Sequence, residues 1–338
     1  MHESSDCIII GGGINGASIA FHLAKHKAKV VLLEKSYIGG GPSGLSSAII
    51  RQHYSNPITI RMALDSLKVW QNFSEIVGAE PVFTRTGFLI GVRPEDVSGL
   101  QANISLQQAA GINTSFLAPE ELKELEPHLD AAGIGGAAYE PDSGYCDPVE
   151  ANRGFASAAK RLGAKIKVGV TATQIREMNG KVSGVETDHG FLPAGQVIVA
   201  AGPWSPMLLS KLGIDLPILT ARVKVVLLKR PQDFKRHMIW GDFISQVYLR
   251  PETGGLMLVG SISPQEETGD QVKDPDIFNQ NVDLDLQASF AERVALRYPA
   301  MSRSHLASSF ASLYDITPDW HSIMDAVPGV DGLYLCAG

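Results

Sequence analysis

Hydrophobic and polar positions change period several times along the chain. Asp6 to Ile10 (DCIII) is an apolar run too short for a helix and rich in β-branched residues, which predicts a buried strand. After Gly11-Gly12-Gly13, apolar residues recur at helical spacing at Ile14, Ala17, Ala20, Phe21 and Ala24, predicting a helix to Lys27. Lys29 to Glu34 (KVVLLE) reads as a second strand, so the chain opens on a βαβ unit. A glycine-rich loop follows at Ile38 to Ser47. From Pro57, whose fixed φ suits a first helical residue, Ile60, Leu64, Leu67, Trp70 and Phe73 share one helical face to about Gly78. The character then changes, with a strand-like FTRTGFLIGV (Phe83 to Val92) and a helix near Gly99 to Ala110.

Asp147-Pro148-Val149-Glu150 carries the marks of a helix start, and that helix is expected to stop at Gly163 before a strand, AKIKVGV. TQIREM and KVSGVET flank Asn179-Gly180, the strongest short hairpin signal available. Gln196 to Ala201 reads as a buried strand, as does Leu333 to Cys336 near the end. Thr220 to Lys229, Gln246 to Arg250 and Gly255 to Ser261 fit strands of a separate mixed sheet. The pattern as a whole predicts an α/β fold with an α+β second domain. The stretch from Pro81 to Gly144 reads as part of a second domain inserted into the first.

Composition narrows the function only modestly. The 338 residues are 44% hydrophobic and 19% charged, which suits a globular chain of about two domains. A formal charge of −7 offers no basic footprint for nucleic acid or an anionic membrane. The start, MHESSD, lacks the basic and apolar stretches of an export signal, and no apolar run is long enough to span a bilayer. Three scattered cysteines, Cys7, Cys146 and Cys336, argue against a disulfide framework and against a zinc site, so a cytoplasmic location is expected and no metal set is assigned.

Gly11, Gly13 and Gly16 spell GxGxxG between a strand and a helix. The first glycine permits the tight turn, the second admits a pyrophosphate and the third lets helix and strand pack closely. Ile14 and Asn15 open that helix, whose N-terminus favours phosphate. Glu34 ends the second strand, 34 − 16 = 18 residues beyond the last glycine, where a carboxylate can hold ribose hydroxyls. This motif does not separate FAD from NAD. The loop directly after Glu34 and the small-residue end of QVIVAAGPWSP (Gln196 to Pro206) tilt the choice to FAD.

The chain resembles the D-amino-acid oxidase-like group of FAD oxidoreductases, within it the branch of sarcosine oxidase (beta subunit) and dimethylglycine dehydrogenase. Besides GGGING…E, the resemblance rests on SSAIIRQHY (Ser46 to Tyr54), VIVAAGPWSP, VYLRPETGGLMLVG (Val247 to Gly260) and LYDITPDWHSIMDAVPGVDGLYLCAG (Leu313 to Gly338). It implies a Rossmann-like FAD domain of discontinuous segments (1–78, 145–215 and 312–338) and a substrate domain (79–144 and 216–311) whose mixed sheet roofs the flavin. It also implies oxidation of a C–N bond in a small amine or amino acid, with oxygen or another carrier as electron acceptor and with partner subunits in some members. Carried over by position, Arg51 would hold the substrate carboxylate, for which a guanidinium fork is well shaped. Tyr248 and Tyr314 would face the substrate. The cofactor contacts implied are Gly11, Gly13, Ile14, Asn15, Gly16, Glu34, Lys35, Ser43, Ser47, Val170, Ala201, Gly202 and Trp204. His53 and His321 are assigned no role.

Three departures qualify the resemblance. Ser312 stands where some monomeric relatives attach flavin through cysteine, and no histidine occupies the loop after Glu34, so FAD is expected to be non-covalent. Met257 aligns with a lysine that activates oxygen in those oxidases, which favours a dehydrogenase. Relatives continue past LYLCAG with a loop and a helix, whereas this sequence stops at Gly338; a fragment and a segment supplied by another chain both stay open. So do three rival functions: an NAD-dependent dehydrogenase, an FAD enzyme of hydroxy acids or glycerol 3-phosphate, and a truncated non-catalytic subunit.

Overall fold

The computed structural model describes residues 5–338, so the start of MHESSD at residues 1–4 lies outside the described residues. The strand Ser5–Ile10 pairs in parallel with Val30–Glu34 on one side and Gly190–Val199 on the other. Lys165–Val168 and Leu333–Ala337 extend the parallel set at its two edges. Strands buried on both faces must be apolar throughout, and the isoleucine run meets that need. Cys7 and Ile9 join the core formed with the helices Ile14–Lys25 and Pro148–Arg161, while Ile8 and Ile10 join the core on the opposite face. That second face is covered by the hairpin Ala172–Met178 and Lys181–Thr187. Asn179 and Gly180 have φ of 55° and 76°, the doubly positive pair that a tight hairpin turn requires.

The Asp147 cap is formed as the sequence predicts. Its Oδ1 accepts from the N–H groups of Val149 at 2.9 Å and Glu150 at 3.0 Å. The helix it starts ends just before Gly163, at φ 102°.

A second sheet of eight strands runs, in spatial order, His305–Ile316, Leu219–Lys229, Leu256–Ser261, Val247–Glu252, Ile239–Asp242, Phe88–Val92, Gly136–Glu140 and Ser115–Leu117. Ile239–Asp242 and Phe88–Val92 pair in parallel and their neighbours antiparallel, so the sheet is mixed. Helix Leu284–Arg297 packs on one face, and helix Val97–Ala109 covers part of the other at Phe88, Ile90 and Val92. A three-stranded ribbon of Ile49–Ile50, Gly144–Cys146 and Phe83–Arg85 lies apart from both.

Several elements differ from their sequence patterns. The run Phe83 to Val92 is two strands in two different sheets, because Gly87 turns the chain at φ 80°. The helix from Pro57 stops at Gln71, and a short helix, Phe73–Val77, resumes after Asn72 at φ −117°. His305–Ile316 stays in the second sheet to Ile316, past the boundary expected at residue 312. The three cysteines are free and share one core; burial pushes Cys7 and Cys146 up to about 12 and Cys336 to about 11. Among the described residues no helix is long and apolar enough to cross a membrane.

Candidate active site

The glycine turn is held by contacts that only glycine allows. A Cβ on Gly16 would overlap the Gly11 carbonyl oxygen, and one on Gly11, at φ 109°, would overlap the carbonyl oxygen of Ala200. The small residues that end the strand Gly190–Val199 therefore lie directly against the turn, where Ala200 N–H also donates to Ile10 O at 2.8 Å. Helix Ile14–Lys25 has no side-chain cap of its own at Gly13; instead Ser43 Oγ accepts from Ile14 N–H at 3.1 Å. A helix start with free N–H groups, set in a cradle that a Cβ would fill, fits a pyrophosphate.

Glu34 ends its strand with both carboxylate oxygens engaged. Oε2 accepts from Gly12 N–H at 2.8 Å, and Oε1 accepts from Ser36 N–H at 2.8 Å and Ser36 Oγ at 3.0 Å. Oε2 keeps a further lone pair for a ribose hydroxyl. Val170 N–H donates to the Glu34 carbonyl at 3.0 Å, which sets Val170 beside that acid. Lys35 lies 3.9 Å above the Trp204 ring and pairs with Asp276, and Trp204 Nε1 is buried without a hydrogen-bond partner. Ala201 and Gly202 lead from the strand end into the turn that carries Trp204. Asn15 is exposed on the helix.

Where floor and roof meet there is a cavity of ≈ 620 Å³. Ile14, Ser43 and Ser47 enter from the floor, Tyr248 and Tyr314 from the roof. Strand register explains the roof: Tyr248 lies opposite Gly260, Gly260 opposite Val225 and Val225 opposite Phe310, so these residues share one face. Tyr314 shares it by alternation along His305–Ile316. A Cβ on Gly260 would overlap the Tyr248 phenol, so glycine lets that ring lie flat against the sheet. Burial raises both phenols, and the Tyr248 hydroxyl bonds to Ser47. Tyr314 is deeply set yet 37% exposed, as a cavity wall should be.

Two residues lie outside the cavity wall. Arg51 is absent from the cavity wall: its guanidinium lies 4.2 Å from the Tyr54 ring centre and donates to the His53 carbonyl. Its charge still reaches Tyr314, whose ionisation it favours. The segment is fixed by Glu140, fully buried, which accepts from Gln52 N–H at 2.8 Å and Ser143 Oγ at 2.7 Å. Glu140 Oε1 and His53 Nδ1, 3.8 Å apart, are both without partners, and burial lowers His53 to about 4. Met257 is the second. It faces the core under helix Leu284–Arg297, fully buried, because it is out of phase with Tyr248's partner Gly260. Leu258 shares the cavity-side face instead, so a Met257 side chain does not reach the site.

Sequence reasoning missed Glu267. It lines the cavity from the short helix Pro264–Thr268, where the cap pattern of Ser263-Pro264 makes the acids read as ordinary first-turn residues.

A parallel floor with a glycine-turn phosphate cradle, roofed by a mixed sheet over a tyrosine-lined cavity, defines a dinucleotide-dependent oxidoreductase of the flavoprotein class. Residues 6–338 match the DAO family of FAD dependent oxidoreductases, and the chain belongs to it. It is 25% identical over 348 residues to sarcosine oxidase subunit beta of Arthrobacter sp, covering 99% of this chain and 82% of that protein. To 4-methylaminobutanoate oxidase (formaldehyde-forming) of Paenarthrobacter nicotinovorans it is 29% identical over 260 residues, 76% of this chain but only 31% of that protein. Among solved structures, L-proline dehydrogenase from P. horikoshii superposes with a TM-score of 0.90 at 27% identity, covering 100% of this chain and 88% of that one.

Proposed function

We propose that the protein oxidises the C–N bond of a small amino acid or N-methyl amino acid, of the sarcosine, dimethylglycine, proline or glycine type. The observation that carries this reading is the tyrosine-lined cavity set against the glycine cradle, in a chain similar to amine and amino-acid oxidoreductases. Non-covalent FAD would be held by Gly11, Gly13, Ile14, Asn15 and Gly16 at the phosphates, and by Glu34, Lys35 and Val170 toward the ribose and adenine. Ser43, Ser47, Ala201, Gly202 and Trp204 would line its length. Bound FAD supplies the two-electron acceptor. Tyr248 and Tyr314 shape the pocket and exclude water from it. Arg51 anchors the carboxylate after swinging off Tyr54, a side-chain rotation that leaves the Glu140-fixed backbone in place.

A partner subunit and a cytoplasmic location belong to the same reading, the first from the likeness to a beta subunit and the second from three buried free thiols. The direct test is the visible spectrum of the FAD-loaded protein before and after anaerobic sarcosine, dimethylglycine, proline or glycine. Bleaching by one of them is expected. A flavin spectrum that resists all four but bleaches with a hydroxy acid or glycerol 3-phosphate would overturn the amine reading.

A further inference from the structure

Glu267 stands out among the charges around the cavity. Its neighbour Glu266 is held by Arg293 at 2.6 Å and by Ser261 Oγ at 2.7 Å. Asp270 is held by Arg222 at 2.8 Å and Lys224 at 2.5 Å. Asp315, also in the wall, accepts from Gly338 N–H at 2.8 Å. Among the described residues the Glu267 carboxylate makes no hydrogen bond and no ion pair. Its charge is felt by the Tyr248 and Tyr314 phenols, whose ionisation it opposes, so it faces the same space. Burial first, and the Glu266 charge second, lift it to about 7.

Small amines arrive as ammonium ions, with proton affinities near that of lysine, about 10.4. Hydride can leave the adjacent carbon only once the nitrogen has its lone pair back. Below that range the proton must pass either to water before binding or to a group in the cavity. No histidine is in the wall, and both phenols hold their protons more tightly than usual.

We propose that Glu267 receives the ammonium end of the substrate and takes its proton, so that one N–H bond breaks, one carboxyl O–H bond forms and a neutral amine remains. The role rests on the amine-oxidation reading and adds to it a requirement for a cationic nitrogen. A carboxylate raised above its ordinary range is neutral at low pH. Cation binding should therefore strengthen as pH rises through about 7.

The test uses FAD-loaded protein and two unreactive carboxylates of one shape, trimethylglycine and uncharged 3,3-dimethylbutanoate, with binding read by titration calorimetry at pH 6 and pH 8. Wild type should prefer the cation at least ~tenfold at pH 8 and less at pH 6, given the strength of a partly buried charge pair. Glu267→Gln should lose the preference at both pH values while melting no lower than wild type at pH 8. Reduction by sarcosine should rise with a midpoint near 7 in wild type and only toward about 10, the amine's own range, in Glu267→Gln. Equal binding of the two probes by wild type, or a preference that survives Glu267→Gln, would overturn the proposal. If the preference holds but no amine bleaches the flavin, the oxidation reading fails instead, and proton transfer with it, while cation recognition by Glu267 stands.

Discussion

Gly16→Ala is expected to yield protein that loses its flavin on gel filtration. The new methyl group would fall on the Gly11 carbonyl oxygen and sit 3.5 Å from Ile9 Cγ2, so the helix must retreat from the strand. Retreat moves the N–H groups of the first turn, which are the groups placed to meet a phosphate. Overpacking of this kind costs about 1–3 kcal/mol. Spent on the cofactor-binding state, that is roughly a tenfold to hundredfold loss in FAD affinity. Flavin content after gel filtration, with the melting temperature of the apoprotein beside it, separates lost affinity from lost folding. A variant that keeps a full complement of flavin would show that the close approach of Gly16 to Gly11 is not needed.

Asp242→Ala should be the most damaging single change in the roof. Asp242 is fully buried, and its Oδ2 accepts from Arg297 Nε at 2.8 Å, while Oδ1 accepts from Ile244 and Ser245 N–H groups at 2.9 Å each. Arg297 also donates to the carbonyls of Asp130 and Ala132, tying helix Leu284–Arg297 to the loop before Gly136–Glu140. Burial alone would raise Asp242, but the hydrogen bond and charge of Arg297 hold it below its ordinary value. Removing the acid leaves a guanidinium buried without its partner, a loss of about 3–5 kcal/mol. Replacing both residues by apolar ones should cost less than the single change, because no charge is then stranded. Urea denaturation of wild type, the single variant and the double variant checks this. A double variant less stable than Asp242→Ala would mean that the pair itself, rather than the abandoned charge, carries the stability.

The parts of the fold legible in the sequence are those whose determinants are local. The βαβ opening, the Asp147 cap and the Asn179-Gly180 hairpin each depend on neighbours a few residues away, and each forms as the pattern predicts. His305–Ile316 was hidden for the opposite reason. HLASSFASLYDI begins with exposed positions and small residues, and it becomes a strand by pairing with Leu219–Lys229 along its length. The site divides in the same way. The glycine cradle is contiguous and readable, whereas Met257 and Leu258 differ only by strand phase, which is set across the sheet by Tyr248 and Gly260. Arg51 was found by its residue type, but its orientation depends on Tyr54 and on the distant Glu140. Glu267 becomes notable only when the partners of Glu266 and Asp270 are seen to be used up.

The placement of the three cysteines gives the molecule an internal reporter. Cys7, Cys146 and Cys336 lie in the single core between the parallel sheet and its helices, and the large roof sheet contains none. Since a thiol reacts as its thiolate, a buried group pushed up to about 11 or 12 is chemically silent while that core is closed. Alkylation kinetics of Cys7 and Cys336 therefore time the opening of the floor, whereas Cys146, which also lines the cavity, responds to movement of the roof as well. Followed with and without FAD, the labelling rate would measure how far the cofactor clamps the half of the protein that holds it.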